Sequence, residues 1–262
     1  MYDFSYSRAS SSDEAISKHG ASDDARYLAG GMTLIPVLKQ RLDQPSDVVD
    51  LGDLEDMRGI TEDSGAIVVK AMTTHHQVHS SDLVKSKIPA LADLAGTIGD
   101  PMVRNRGTIG GSLANNDPAA SYPSAVLALN ATINTDKRSI PADEFFTGMF
   151  DTALEEGELI ISVSFPIPER AGYKHFPNPA SRYPIVGSFV AKTSDGVRVA
   201  ITGAGACAYR QTEFEEAWAD GDLDPGKIKA IKISKEVLNS DILASAEFGA
   251  YLINVMTRRA IG

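Results

Sequence analysis

The stretch "RYLAGGMTLIPVLKQRLDQPSDVVDL", Arg26 to Leu51, decides how the chain begins to fold. It opens on a short apolar run that stops at Gly30-Gly31, and it closes on a second apolar run inside "SDVVDL". Between them Leu34, Leu38 and Leu42 stand at i, i+4 and i+8, the spacing that lines one face of a helix. Thr33 is the expected N-cap, and Pro36 is tolerated because it falls in the first turn, where its missing N–H is not needed. Strand, glycine turn, helix and strand make a βαβ unit, so the two strands are expected to run parallel.

Further along, the pattern changes. "GITEDSGAIVVK", from Gly59, places the turn residues "EDSG" between two strand-like runs, which predicts a hairpin. Helices are expected over 77–84 and 90–98. "ATINTDKRSIPADEFF" reads as strand, polar turn, short strand and loop, and "ELIISVSFPIP" as a strand stopped by its prolines. The turn-rich "PERAGYKHFPNPASRYP" puts a domain boundary near Glu169. Beyond it, "IVGSFVAKTSDGVRVAITGAG" is a hairpin about "SDG", and "DILASAEFGAYLINVMTRRAIG" is a final helix. The expectation is an α+β protein: a domain over 1–169, divided into a βαβ part (about 1–56) and a mixed or antiparallel part (about 57–169), and a second domain over 170–262.

Composition limits the functions. At 262 residues, 43% hydrophobic and 23% charged, the chain can bury a sizeable core. A formal charge of −10 with no basic stripe argues against a nucleic-acid partner, whose binding rests on lysine and arginine displacing counterions. A single cysteine, Cys207, excludes an internal disulfide and any cysteine-cluster metal site. "MYDFSYSRAS" lacks an apolar signal region and no run is long enough to span a membrane, so a cytoplasmic location is expected.

Two segments share a physical logic: "AGGMT" (Ala29, Gly30, Gly31, Met32, Thr33) and "TIGGS" (Thr108, Ile109, Gly110, Gly111, Ser112). Each pairs adjacent glycines with a nearby hydroxyl. Glycine admits left-handed backbone and lets another group approach its N–H, and successive free N–H groups at a turn or helix start attract an anion. Two such loops are suited to grip one pyrophosphate from two sides. Neither is a Walker A loop or a G-x-G-x-x-G fingerprint. In "DPAASYPSAVLALNA", Ser121 or Tyr122 is expected to cap a helix opening at Pro123, and Asp117 to sit in an exposed turn able to accept ribose-type hydroxyls.

"YLAGGMTLIPVLKQRL", "PSDVVDL" and "GDPMVRNRGTIGGSLANNDPAASYPSAVLALNA" together resemble the FAD-binding medium subunit of molybdenum hydroxylases, the carbon monoxide dehydrogenase and xanthine dehydrogenase group. The resemblance runs through nearly the whole chain. It implies a two-part FAD-binding domain of the PCMH (vanillyl-alcohol-oxidase-like) type, followed by a small C-terminal domain with an antiparallel sheet and helices. It implies that Ala29 to Thr33, flanked by Leu28 and Leu34, wrap the FAD pyrophosphate and that Thr108 to Ser112 close on the same phosphates. Asp117 matches the first acidic position after that loop; Ser121 stands where the family often has a second acid. Ile160 matches an apolar position whose backbone faces the cofactor, Lys174 a basic position near it, and Tyr183 an aromatic beside the isoalloxazine ring. The partners implied are a large subunit with the molybdenum cofactor and a small subunit with two [2Fe-2S] clusters, assembled as a dimer of heterotrimers.

Other residues of the chain carry candidate chemistry of their own. His75 and His79 in "TTHHQVH" stand at a spacing able to share a helical face as metal ligands, or to line a cleft. The acidic run "EFEEAWAD" reads as a solvated helix face, and Cys207, after "TGAG" in a small-residue strand, as a buried structural thiol. No residue is nominated for acid-base catalysis. Three readings stay open: an FAD electron-transfer subunit, a self-contained flavin oxidoreductase of the same fold, and a cofactor-free assembly subunit.

Overall fold

The structure, a computed structural model, describes residues 1–262. Its first sheet is parallel and joins β1 (Ser5–Arg8), β2 (Ala25–Leu28) and β3 (Asp47–Asp50) in the order β1-β3-β2. The crossovers carry α1 (Ser12–Gly20) and α2 (Leu34–Lys39). The expected βαβ unit is present, preceded by a strand and a helix. β1 is mostly exposed and α1 buries only Ala15, so neither shows as an apolar run; α1 is instead marked by Ser11, whose side chain caps the Glu14 N–H. α2 is shorter than its leucine spacing predicts. It ends at Lys39, Arg41 turns the chain with φ 59°, and Leu42 is 73% exposed. Thr33 makes no side-chain cap.

The second sheet is antiparallel, in the order β4-β5-β10-β6-β7. Its strands are β4 (Ile60–Asp63), β5 (Ala66–Lys70), β6 (Thr132–Thr135), β7 (Ser139–Pro141) and, after the small ribbon of β8 (Phe146–Gly148) and β9 (Asp151–Thr152), β10 (Ile160–Pro166). Between β5 and β6 run α3 (His75–Ser80), α4 (Asp82–Lys87), α5 (Pro89–Thr97), α6 (Pro101–Arg104), α7 (Ile109–Asn115) and α8 (Tyr122–Ala128); α9 (Ala142–Phe145) follows β7. The single helix expected over 77–84 is two. Thr74 and Gln77 form a reciprocal capping box that starts α3 at His75, and Ser81, extended at φ −61° and ψ 120°, ends α3 and caps α4. Every residue of α8 is buried. Neither expected cap operates there: the Ser121 side chain makes no capping bond, and Tyr122 is already the first helical residue.

The third sheet, β11-β12-β13-β14, is antiparallel and joins β11 (Arg170–Pro177), β12 (Pro184–Thr193), β13 (Gly196–Thr202) and β14 (Tyr209–Arg210). The "SDG" hairpin closes with Thr193 opposite Gly196, which takes φ +120°. α8 packs on β12 and β13 from one side, and α12 (Ala246–Ile261) covers β11 and β12. α10 (Thr212–Ala217) and α11 (Pro225–Ile228) complete this part. The acidic run proves more than a solvated face, because Phe214 and Trp218 are wholly buried in it and Glu215 is bound by Arg210. Cys207 lies in a bend after β13, half-buried, and not in a strand.

Gly172 of β11 marks the tightest helix–sheet approach, since a Cβ there would stand 1.6 Å from the Ala260 carbonyl oxygen of α12. Gly172→Ala is therefore expected to push α12 off the sheet and destabilise the chain by about 1–3 kcal/mol, measured by urea denaturation. An unchanged midpoint would show that α12 is not seated on β11 in this way.

Candidate functional site

A cavity of about 590 Å³ opens where the three sheets meet, a size suited to a small molecule or cofactor. Both glycine segments line it, but they do so differently.

After β2 the chain enters Ala29–Thr33 with no regular structure. Gly31 is left-handed at φ +73° and packed against Ile35 and Leu28, so a side chain is excluded there on two counts. A Cβ on Gly30 would stand 2.1 Å from the Arg106 carbonyl oxygen and 2.9 Å from the Gly107 Cα. The segment is thus pressed against the backbone that leads into the second glycine pair. None of the five N–H groups from Ala29 to Thr33 donates to another group of the chain. Consecutive undonated N–H groups in a tight turn form an anion-binding concavity.

The second segment is not a loop. Thr108 is the N-cap of α7, its Oγ1 accepting from Gly111 N at 3.2 Å, and the glycines lie in the helix's first turn. Its N–H groups are already engaged: Ile109 donates to Thr73 O (3.1 Å), Gly110 to Ala71 O (2.9 Å) and Ser112 to Thr108 O (3.1 Å). The expectation that they reach a diphosphate is overturned, and the reason is packing. A Cβ on Gly110 would stand 2.7 Å from the Ala71 Cβ, so this glycine lets α7 sit on the end of β5. What the segment offers the cavity is the edge of Gly110 and Gly111 with the side chains of Thr108 and Ser112.

The remaining predicted residues divide. Met32, Leu34, Asp117, Ser121, Ile160 and Tyr183 line the cavity. Asp117 is half-buried and accepts the Ala119 N–H at 2.8 Å, so the turn is less open than expected. Ser121 is buried and accepts a hydrogen bond from the Tyr173 hydroxyl at 3.2 Å. Leu28 and Ile109 lie behind the wall. Lys174 is not brought to the site: strand alternation on β11 turns Tyr173 inward and leaves Lys174 exposed opposite Ser188.

One feature of the cavity was missed in the sequence, and a second, His75, was offered there as a residue able to line a cleft. In the cavity lining, the rings of His19 and Tyr27 lie against each other with centroids 4.5 Å apart and planes tilted by 33°, and Tyr27 OH donates to Gly157 O. In the wall, His75 is only 5% exposed; its Nδ1 has no partner, nor has the hydroxyl of Tyr122, whose ring lies 5.4 Å away. Burial, helped by the positive charge of Arg104, pushes the His75 pKa down to about 4. The two histidines considered as a metal pair diverge: His75 faces the cavity, whereas His79 Nδ1 is 2.9 Å from Ala92 O and ties α3 to α5.

An anionic cofactor fits these residues: the undonated N–H row suits its charge, the glycines leave it room, and the same cavity is lined further by His19 and Tyr183.

A family model described as "FAD binding domain in molybdopterin dehydrogenase" matches residues 2–168. The chain is 33% identical to the glyceraldehyde dehydrogenase medium chain of Sulfolobus acidocaldarius, covering 98% of this chain and 97% of that one. It is also 33% identical to the carbon monoxide dehydrogenase medium chain of Hydrogenophaga pseudoflava, covering 98% and 96%. Among solved structures, quinoline 2-oxidoreductase from Pseudomonas putida 86 superposes with a TM-score of 0.91 at 29% identity, covering 99% of this chain and 96% of that one. No helix is long and apolar enough to cross a membrane.

His75 gives the site a pH signature. Its folded pKa of about 4 lies below the unfolded value of 6.5, so the unfolded chain binds the extra proton between these values. The full contribution is present above pH 6.5 and is lost as pH falls toward 4, amounting to about 2 kcal/mol between pH 7 and pH 5. Urea denaturation of flavin-free His75→Gln at the two pH values is expected to lose that share of the pH dependence. Equal slopes for variant and parent would mean the imidazole is not buried neutral.

Proposed function

The chain belongs to the family of FAD-binding domains of molybdopterin dehydrogenases, and from that premise we propose that it is the FAD-carrying electron-transfer subunit of a heteromeric molybdenum hydroxylase. The observation that carries this reading is the row of undonated N–H groups at Ala29–Thr33, set in a cavity that also holds the second glycine pair.

Bound FAD exchanges electrons singly or in pairs, which suits it to stand between one-electron iron-sulfur carriers and a two-electron acceptor. The chain's own residues bind and position. Ala29–Thr33 hold the diphosphate through backbone N–H groups, with Leu28 and Leu34 shaping the segment. Thr108 and Ser112 supply hydroxyls at its other side, Ile109 anchors the helix turn that presents Gly110 and Gly111, and Asp117 accepts sugar-type hydroxyls. Ile160 backs the cofactor, Ser121 lines its wall, and Tyr183 stands at the mouth. His75, neutral at pH 7, presents an uncharged wall. No side chain is assigned a proton-transfer role.

With one cysteine the chain supplies no thiolate set for an iron-sulfur cluster, so iron-sulfur and molybdenum chemistry fall to a small and a large partner subunit. We assign the FAD domain to 1–169 and a C-terminal unit to 170–262. The complex is taken to be a dimer of heterotrimers in the cytoplasm, and its substrate is chosen on the large subunit.

The purified chain is expected to be yellow or to take up added FAD, and its complex to contain molybdenum and iron. Protein that stays colourless with FAD present overturns the reading. Gly30→Val, which would drive a side chain into the Arg106 carbonyl, is expected to weaken FAD binding by more than about tenfold, read by flavin fluorescence titration.

A further inference from the structure

Two guanidinium groups meet on one backbone oxygen at the lip of the cavity. Arg104 Nη1 donates to Gly99 O at 2.9 Å, and Arg182 Nη1 donates to the same oxygen at 3.2 Å. The two nitrogens therefore stand no more than about 6 Å apart, a separation at which like charges repel unless a counter-charge joins them. The oxygen that gathers them is held in place. Gly99 is left-handed at φ +53°, with Val103 packed where its side chain would be.

No carboxylate balances the pair. The arginines that form ion pairs are Arg8, Arg26, Arg58, Arg138, Arg198 and Arg210. Of the arginines that line the cavity, Arg26 is held by Asp24 and Asp43, which leaves Arg182 as the lining guanidinium with free donors. Three of the four lining carboxylates are committed elsewhere, Asp43 to Arg26, Glu158 to Arg138 and Asp117 to the Ala119 N–H, and the fourth, Glu156, forms no ion pair with either guanidinium and acts on His19 instead. In a chain of net charge −10, two uncompensated cations on one carbonyl beside a cavity are the reverse of what the composition favours.

We propose that Arg182, backed by Arg104, forms an anion site at the Gly99 lip that takes a phosphate-type oxyanion. The oxyanion comes from one of two sources: the diphosphate of the bound cofactor, which rests on the flavin reading above, or a separate anionic ligand entering the cavity mouth. Guanidinium donors pair with phosphate oxygens in a fixed fork, so the site favours phosphate over a diffuse anion.

The test uses the full chain as parent, Arg182→Gln and Arg182→Lys, each first shown to keep the parent's thermal midpoint. Arg182 is on an exposed turn, so folding is expected to survive; Arg104→Lys serves as a second variant that keeps the charge but loses the fork. FAD is titrated into flavin-free protein, and inorganic pyrophosphate into both flavin-free and FAD-loaded protein, by calorimetry. If the cofactor is the source, Arg182→Gln weakens FAD binding roughly ten- to a hundredfold and Arg182→Lys recovers part of it. If the source is separate, FAD affinity holds while pyrophosphate binding to the FAD-loaded parent is lost in Arg182→Gln. FAD and pyrophosphate affinities that are the same in parent and Arg182→Gln overturn the site. A parent that takes no FAD would sink the flavin reading alone, because pyrophosphate binding lost in Arg182→Gln would still uphold the anion site.

Discussion

The approach of Gly30 to the Arg106–Gly107 backbone is the constraint on which the rest of the site depends. It brings the end of a parallel strand against the segment that leads into α7, across a gap that no side chain fits. Gly111, on α7, faces Ala29 from the other side, at 3.6 Å from the Ala29 Cβ for an added Cβ. The two glycine pairs therefore act as one joint between the first sheet and the helical layer, and the cavity is the space that this joint leaves. The division of labour follows from where each backbone spends its hydrogen bonds. α7 uses its N–H groups to dock on Ala71 and Thr73, so it is fixed; the turn after β2 donates none, so it is available.

The third sheet stiffens the opposite wall. Thr202 Oγ1 donates to Ala120 O at 2.6 Å, Gly203 N donates to Pro118 O at 2.8 Å, and Arg198 Nε donates to Leu127 O at 2.8 Å. These bonds hold the Asp117–Ala120 turn and the end of α8, a helix buried on every side. A helix without a solvated face has to be enclosed by more than one layer, and here the layers are the central helices and the third sheet. The C-terminal part thus builds the wall in which Asp117 and Ser121 sit, as well as following it in sequence.

Much of this was legible from local signals. The βαβ unit, both antiparallel hairpins and the final helix came from period, glycine and proline alone, because in each the apolar face and the turn residues agree. β1 escaped because an exposed edge strand has no apolar alternation, and α1 because its signal is the Ser11 cap and not its one buried alanine. The leucine spacing overran α2, since periodicity carries no information about where Arg41 turns the chain. In the site, positions set by backbone shape were readable, but those set by tertiary contact were not. Whether the N–H groups of Ile109 and Gly110 are free depends on Ala71 and Thr73, some 36 positions away in the chain for the Ile109–Thr73 bond. Lys174 failed for a simpler reason: one step along a strand reverses the face, and Tyr173 holds the inward one.

An acidic chain that holds an anionic cofactor poses an electrostatic problem, and the fold answers it without basic side chains at the turn. The charge is offered to backbone dipoles, which cost no long side chain its freedom and which stay fixed whether or not a ligand is bound. Two of the four carboxylates that line the cavity are neutralised in place, Asp43 by Arg26 and Glu158 by Arg138, while His75 is kept uncharged by burial and by Arg104. Most of the −10 lies on surface groups screened by solvent and salt, so it sets the long-range field and not the local one. Affinity for an anion inside such a protein is then decided over a few ångströms, by which donors have no other partner. Ala29–Thr33 and the guanidinium of Arg182 both meet that condition in the lining of one cavity.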